Sequence, residues 1–192
     1  MRATDYPYCQ SPFTVLAHRG GAGMAVNKGI ENTLAAFGHA VEVGCTYLET
    51  DVHATSDGVL VAFHDPILDR VTESGGVIAA MPWHKVKQAK VGGEPIPTLD
   101  EIFDAFPEAF INIDIKHDGA TMPLIDVLSR HRAWSGFASG RSAVNASRPS
   151  VAWFRDALRL RWGRWESAGL SSALIACRWH SPMGMRTRCR IA

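Results

Sequence analysis

The amino-acid sequence predicts an α/β fold built on a parallel sheet. Short runs rich in β-branched and aromatic residues alternate with segments whose apolar residues recur at helical spacing, the pattern of βα units. Gly, Asn and Asp punctuate the joints between them. Polar and ionisable residues collect where the predicted strands end, and in parallel α/β folds that edge of the sheet is where chemistry sits.

The first strand is Phe13-Thr-Val-Leu-Ala17, ending at His18-Arg19-Gly20-Gly21. A helix follows in which Leu34, Phe37, Ala40 and Val41 fall on one face, with Asn32 as its predicted N-cap and Gly44 closing it. Thr46 to Val52 reads as the second strand. Ser56-Asp57-Gly58 makes a turn into a third, Val59 to Phe63, which ends at His64-Asp65. Pro66 to Pro97, with Gly75-Gly76 and Gly92-Gly93, reads as a loop-like insertion. Thr98 caps a helix whose apolar face is Leu99, Ile102, Phe103 and Phe106, with Asp100 and Glu101 well placed in its first turn. Phe110 to Ile115 is the fourth strand, ending at Lys116, and a helix from about Pro123 to Arg132 follows.

A chain of 192 residues with 46% hydrophobic content supports one globular domain with a real core. Its first 20 residues hold no apolar run long enough for a signal peptide or a membrane span, so a cytoplasmic protein is expected. Cys9, Cys45, Cys177 and Cys189 form no CxxC pair and read as reduced thiols. The net charge of +1 hides an asymmetry. Residues 1–134 hold 10 Lys and Arg against 17 Asp and Glu, whereas residues 135–192 hold 10 Arg and only Asp156 and Glu166.

Glu49 and Asp51 lie two apart in a strand, so both side chains leave the same face. Two carboxylates sharing one site repel each other, and a hard divalent cation is the natural compensation; a solvated edge strand is the plainer alternative. Asn112, Asp114 and Lys116 point to one side of the fourth strand and Ile111, Ile113 and Ile115 to the other. If the sheet closes, Asp114 supplies a third oxygen ligand and Lys116 meets a phosphate; an antiparallel strand with one wet face would show the same alternation. His18 and His64, each following the last apolar residue of a strand, are predicted at the sheet's C-terminal edge. Two such imidazoles would supply the base and the acid that cleavage of a phosphodiester needs. Arg19 offers a positive fork for a phosphate. His39, His53, His84, His117, His131 and His180 read as surface or structural.

In order and spacing, His18-Arg19-Gly20, Glu31-Asn32-Thr33, Glu49-Thr50-Asp51-Val52, Thr55-Ser56-Asp57-Gly58, His64-Asp65, Ile96-Pro97-Thr98-Leu99 and Asn112-Ile113-Asp114-Ile115-Lys116 resemble the glycerophosphodiester phosphodiesterases, over roughly residues 14–130. The resemblance implies a (β/α)₈ TIM barrel, a small glycerophosphodiester as substrate, and metal-dependent release of an alcohol and sn-glycerol 3-phosphate. It implies Glu49 and Asp51 as ligands of Mg²⁺ or Ca²⁺, His18 as general base, His64 as general acid and Arg19 as a phosphate ligand. The family usually has Glu where this chain has Asp114, one methylene shorter, so the third metal contact is expected to be longer or carried by water. Another barrel phospholipase acting on a lipid phosphodiester, and a non-catalytic remnant with a basic interaction tail, are the competing readings.

Only the first half of such a barrel is legible, over residues 1–134. Residues 135–192 hold ten Arg, four Trp and nine Ser with little β-alternation, which predicts a non-homologous, disordered or irregular tail. Such a composition also suits nucleic acid or an acidic membrane, but a change of reading frame near codon 134 is the simpler account, and no nucleic-acid partner is expected. A half barrel would leave Val52 and Ile113 without partners and give a marginally stable, weakly active or inactive chain.

Overall fold

The computed structural model describes residues 15–131, Ala133 and the backbones of three later strands, 137–140, 175–177 and 189–191. In chain order its elements are β1 (Leu16–Ala17), α1 (Leu34–Glu42), β2 (Tyr47–Ala54), β3 (Leu60–Ala62), α2 (Trp83–Val86), β4 (Lys90–Val91), β5 (Glu94–Pro95), α3 (Leu99–Ala105), β6 (Phe110–Ile115), α4 (Thr121–His131), β7 (Phe137–Gly140), β8 (Ile175–Cys177) and β9 (Cys189–Ile191).

The sheet is organised around β2, all eight residues of which are buried. One side of β2 is paired in parallel with β6 over six positions, from Tyr47 opposite Phe110 to Val52 opposite Ile115. The other side is shared: β1 runs parallel beside its beginning, with Ala17 opposite Leu48, and β3 runs antiparallel beside its end, with Ala62 opposite Val52. β3, expected as the third of four parallel strands, therefore forms an antiparallel hairpin with β2. The reason is local. Only five residues, from Thr55 to Val59, join the two strands, and Gly58 at φ +82° makes the turn; a parallel crossover needs a dozen or more.

The pleat divides the side chains of β2. Leu48, Val52 and Ala54 join Ile111, Ile113 and Ile115 of β6 in a core completed by Phe37 and Ala40 of α1, Leu99 and Ile102 of α3, and Leu124, Ile125 and Leu128 of α4. Glu49, Asp51 and His53 take the opposite parity. Val52 and Ile113, expected to be stranded by a half barrel, are fully buried in this helix-side core. A helical layer, not the far wall of a barrel, covers them.

The segment 66–97 is a folded unit and not a loop. It carries a single 3₁₀ turn at Ile78–Ala80, α2 and the β4–β5 hairpin, with a core of its own in which Leu68, Ile78, Val86, Val91 and Ile96 pack on Val61 and Phe63. β3 thus separates two cores.

Helix α3 begins as predicted. The Thr98 hydroxyl accepts the Glu101 N–H at 3.2 Å and the Glu101 carboxylate accepts the Thr98 N–H at 2.7 Å, a reciprocal capping box. Thr98→Ala is expected to cost about 1 kcal/mol, read as a lower denaturant midpoint at unchanged slope. An unmoved midpoint would show that the cap contributes nothing. In α1, by contrast, the cap is Thr33, which accepts the Ala36 N–H at 3.2 Å, and not Asn32.

Beyond residue 134, β7 lies parallel to β6, with Phe137 opposite Ile111, and β8 parallel to β7, so the sheet continues past the expected boundary. Among the described residues its path from β1 to β9 does not close on itself. The rest of the predicted irregular tail lies outside the described residues. No described helix is long and apolar enough to cross a membrane.

Candidate active site

Immediately after β1 the chain makes one 3₁₀ turn at His18–Gly20. Arg19 takes a left-handed φ of +50°. Such strain in a non-glycine residue persists only where neighbours enforce it, and it clusters at functional sites. Here Asn27, itself buried, donates through Nδ2 to the carbonyls of Gly20 at 2.9 Å and Gly21 at 3.2 Å and, on α1, of Ala36 at 3.2 Å. A Cβ on Gly20 would lie 3.1 Å from Ala36 Cβ and from the Phe37 ring, at a φ of +73°. Glycine is what lets this turn sit on the helix.

The turn aims the Arg19 N–H at Glu49 Oε2, 2.8 Å away, and places His18 Nε2 3.9 Å from the same oxygen. Burial, and then the Arg19 charge, hold the His18 imidazole below its ordinary value, so its free base is favoured at neutral pH. Glu49 is 3% exposed, and burial followed by the charge of Asp51 pushes its carboxyl up to about 8.

Asp51 lies opposite Asp114 across the β2–β6 ladder, and Lys116 Nζ bridges the two at 2.8 Å from each. Burial alone would raise the Asp51 carboxyl, but Lys116, then Asn32 and Arg19, hold it below the usual range. Asn32 explains why it is not a cap. At φ +58° its side chain turns to the sheet, donating to Asp51 Oδ2 at 3.1 Å and accepting the Thr50 hydroxyl at 3.0 Å. Asn tolerates this conformation better than other non-glycine residues.

His64 arrives by a route the strand pattern did not indicate. The antiparallel β3 runs back along β2 until Phe63 N–H bonds the Asp51 carbonyl at 3.0 Å. His18 and His64 therefore approach the Glu49–Asp51 segment from opposite directions along one edge of β2. His64 Nδ1 lies 2.6 Å from Asp65 Oδ1. Asp65 is in turn paired with Arg70, which also grips Glu31, and Glu31 lies 3.4 Å from Arg19 Nη1. An anionic Asp65 accepts the Nδ1 proton and leaves Nε2 as the nitrogen available to a substrate.

Glu49 and Asp51 are buried and Asp114 partly so, beside the cations Arg19 and Lys116, and carboxylate oxygens are the donor type that Mg²⁺ or Ca²⁺ prefers. Among the described residues two buried side-chain atoms have no hydrogen-bond partner, Arg19 Nε and Asn112 Oδ1, the latter on the residue opposite Glu49. Arg19 Nε is 3.3 Å from Asp51 Oδ2 but not aimed at it. The Glu49–Asp51 pair therefore suits a hard cation. The expected trio does not gather: among the described residues no three His, Cys, Asp or Glu side chains form a group that could hold a metal, because Lys116 stands between Asp51 and Asp114. Lys116, read as a phosphate contact, is engaged by these carboxylates.

Sequence reasoning passed over Asn27, Asp65, Arg70 and His53. His53 is 4% exposed and its Nε2 is 3.1 Å from the His64 carbonyl. Its signal was present, since positions 49, 51 and 53 continue one face of one strand.

The model of the glycerophosphoryl diester phosphodiesterase family matches residues 18–132. A probable glycerophosphodiester phosphodiesterase 2 of Mycobacterium tuberculosis is 34% identical over 172 residues, 89% of this chain and 61% of that protein. That match is longer than residues 1–134, so it runs on into the Arg-rich segment. Lysophospholipase D GDPD1 of Homo sapiens is 38% identical over 115 residues, 53% of this chain and 35% of that protein. The chain thus spans less than two thirds of either relative. Among solved structures, an Oleispira antarctica phosphodiesterase in complex with the product sn-glycerol-3-phosphate superposes with a TM-score of 0.58 at 25% identity, over 77% of this chain and 71% of that one.

Proposed function

The chain belongs to the glycerophosphoryl diester phosphodiesterase family, and from that premise we propose that its site hydrolyses glycerophosphodiesters to an alcohol and sn-glycerol 3-phosphate. The observation that carries this reading is the convergence of His18 and His64 on the buried Glu49–Asp51 pair. Glu49 and Asp51 would hold a divalent cation, Mg²⁺ or Ca²⁺, and Asp114 would join them once Lys116 shifts to the phosphate. Such a cation polarises phosphoryl oxygens and offsets the charge that develops on them.

The protein's own groups supply the rest. His18, kept as the free base, removes a proton from the attacking hydroxyl, either water or the substrate's neighbouring glycerol hydroxyl, as that oxygen bonds to phosphorus. His64, its Nδ1 proton held by Asp65, carries a proton on Nε2 to the departing alkoxide as the second P–O bond breaks. Where the glycerol hydroxyl attacks, water opens the cyclic phosphate. The Arg19 guanidinium, partly restrained by Glu31, is the candidate phosphate ligand. We further read the parallel strands as part of an eight-stranded barrel, with residues 1–134 carrying the chemistry.

A lipid phosphodiester is the second substrate reading. Lysophospholipase D among the relatives favours it, as do Ile67 and Val77, bridged to each other and exposed on the insertion directly after His64-Asp65. The test is hydrolysis of glycerophosphocholine and of lysophosphatidylcholine by purified protein, with and without EDTA. Release of alcohol that EDTA abolishes and Mg²⁺ or Ca²⁺ restores is expected. Turnover indifferent to EDTA would remove the metal, and none on either ester would remove the hydrolase.

A further inference from the structure

We propose that His53 is a positioning residue, whose buried imidazole, stacked on His117, holds the backbone carbonyl of His64 and so fixes where the His64 ring stands. The inference rests on the hydrolase reading for its catalytic consequence and on geometry for everything else.

His64 lies beyond the end of β3, and the last bond from this run of chain to the β2 backbone is the one from Phe63 to Asp51. Among the described residues the hydrogen bond on the His64 carbonyl comes from the His53 ring, at 3.1 Å. A carbonyl only accepts, so Nε2 of His53 carries the hydrogen.

His117 supports it from the other side. The two rings stack with centroids 5.5 Å apart at 27°. The nitrogens of His117 lie 3.1 Å from the backbone N–H groups of Ala54 and Gly119, and the one that carries no hydrogen accepts from its neighbour, which ties the ring to the end of β2 or to the loop after Lys116. The pair ties together the end of β2, the loop just after Lys116 and the residue after Phe63.

Asp65 restrains the His64 ring, but it is the next residue in the chain, and its partner Arg70 belongs to the insertion. His53 supplies what that pair lacks. It stands on the same strand and face as Glu49 and Asp51, so a single strand sets both the carboxylates and, through one hydrogen bond, the backbone that carries the general acid.

Three variants test this. His53→Phe keeps the volume and the stacking but removes the donor; His53→Gln restores a donor where Nε2 was; His53→Asn keeps an amide one methylene too short. For glycerophosphocholine, His53→Phe and His53→Asn are expected to lose about tenfold or more in kcat, with KM within about twofold and His53→Gln within about threefold of the parent. The second readout is long-range ¹H–¹⁵N NMR of the His64 ring, needing no turnover. A single Nδ1–H tautomer is expected in the parent and in His53→Gln, and a mixture in His53→Phe and His53→Asn. Unchanged kcat in His53→Phe, a loss confined to KM, or equal losses in folded Gln and Phe variants would overturn the proposal. If the parent itself fails to turn over, the hydrolase reading falls, and the NMR decides alone: identical His64 spectra in all four proteins would end the inference.

Discussion

His64→Ala is expected to lower turnover of glycerophosphocholine by about 10²- to 10⁴-fold, and His18→Ala by a comparable factor. Loss of activity alone would not separate acid from base, but the leaving group does. Choline is a poor leaving group and needs a proton as its oxygen departs, whereas p-nitrophenolate does not. With glycerophospho-p-nitrophenol as substrate, His64→Ala should recover most of the lost rate and His18→Ala should not, because the base acts on the nucleophile whatever departs. The surroundings of the two rings make this assignment. His18 is depressed by burial and by Arg19, which suits a group that must begin unprotonated. His64 has a carboxylate on Nδ1, which fixes the ring's orientation and presents its other nitrogen to the leaving group. Recovery in His18→Ala instead would exchange the two roles. A protein in which neither change matters would be the non-catalytic remnant.

How much of this was readable before the fold was known differs from residue to residue, for physical reasons. The alternation that places Glu49 and Asp51 on one face is a property of an extended chain, so two positions of sequence suffice to see it. The same holds for the capping box at Thr98, whose partners are three residues apart. The position of His64 needed something else. Its strand is too short to declare a direction, and only the tight turn at Gly58 makes β3 antiparallel, which brings the histidine back beside Asp51. Lys116 shows the same limit. Its alternation with Asp114 was visible, but the β2–β6 register that sets Asp51 opposite Asp114 was not, and that register turns a presumed phosphate contact into a bridge between carboxylates. The Glu31–Arg70–Asp65 link is further still from view, since it joins residues 39 apart through an insertion whose core is separate from the main one.

Glu49→Gln is expected to abolish metal-dependent turnover, by on the order of 10³-fold, and yet to make the metal-free protein more stable. The two effects share one cause. Glu49 is buried beside Asp51, and among the described residues the lysine that bonds Asp51, Lys116, does not bond it; burial and the Asp51 charge make its ionised form costly. The amide is isosteric, keeps an oxygen for the Arg19 N–H now 2.8 Å from Oε2, and replaces an acid whose ionisation the buried site disfavours. A gain on the order of 1–2 kcal/mol in the presence of EDTA is expected, seen as a raised Tm. Added Mg²⁺ or Ca²⁺ should then reverse the order. The parent gains stability in proportion to the logarithm of cation concentration, about 2.7 kcal/mol at one hundred times Kd, while the variant, lacking one of the two ligands, gains little. A variant less stable than the parent in EDTA would mean that the carboxylate is already compensated within the protein, and one that binds the cation as tightly as the parent would take Glu49 out of the metal site.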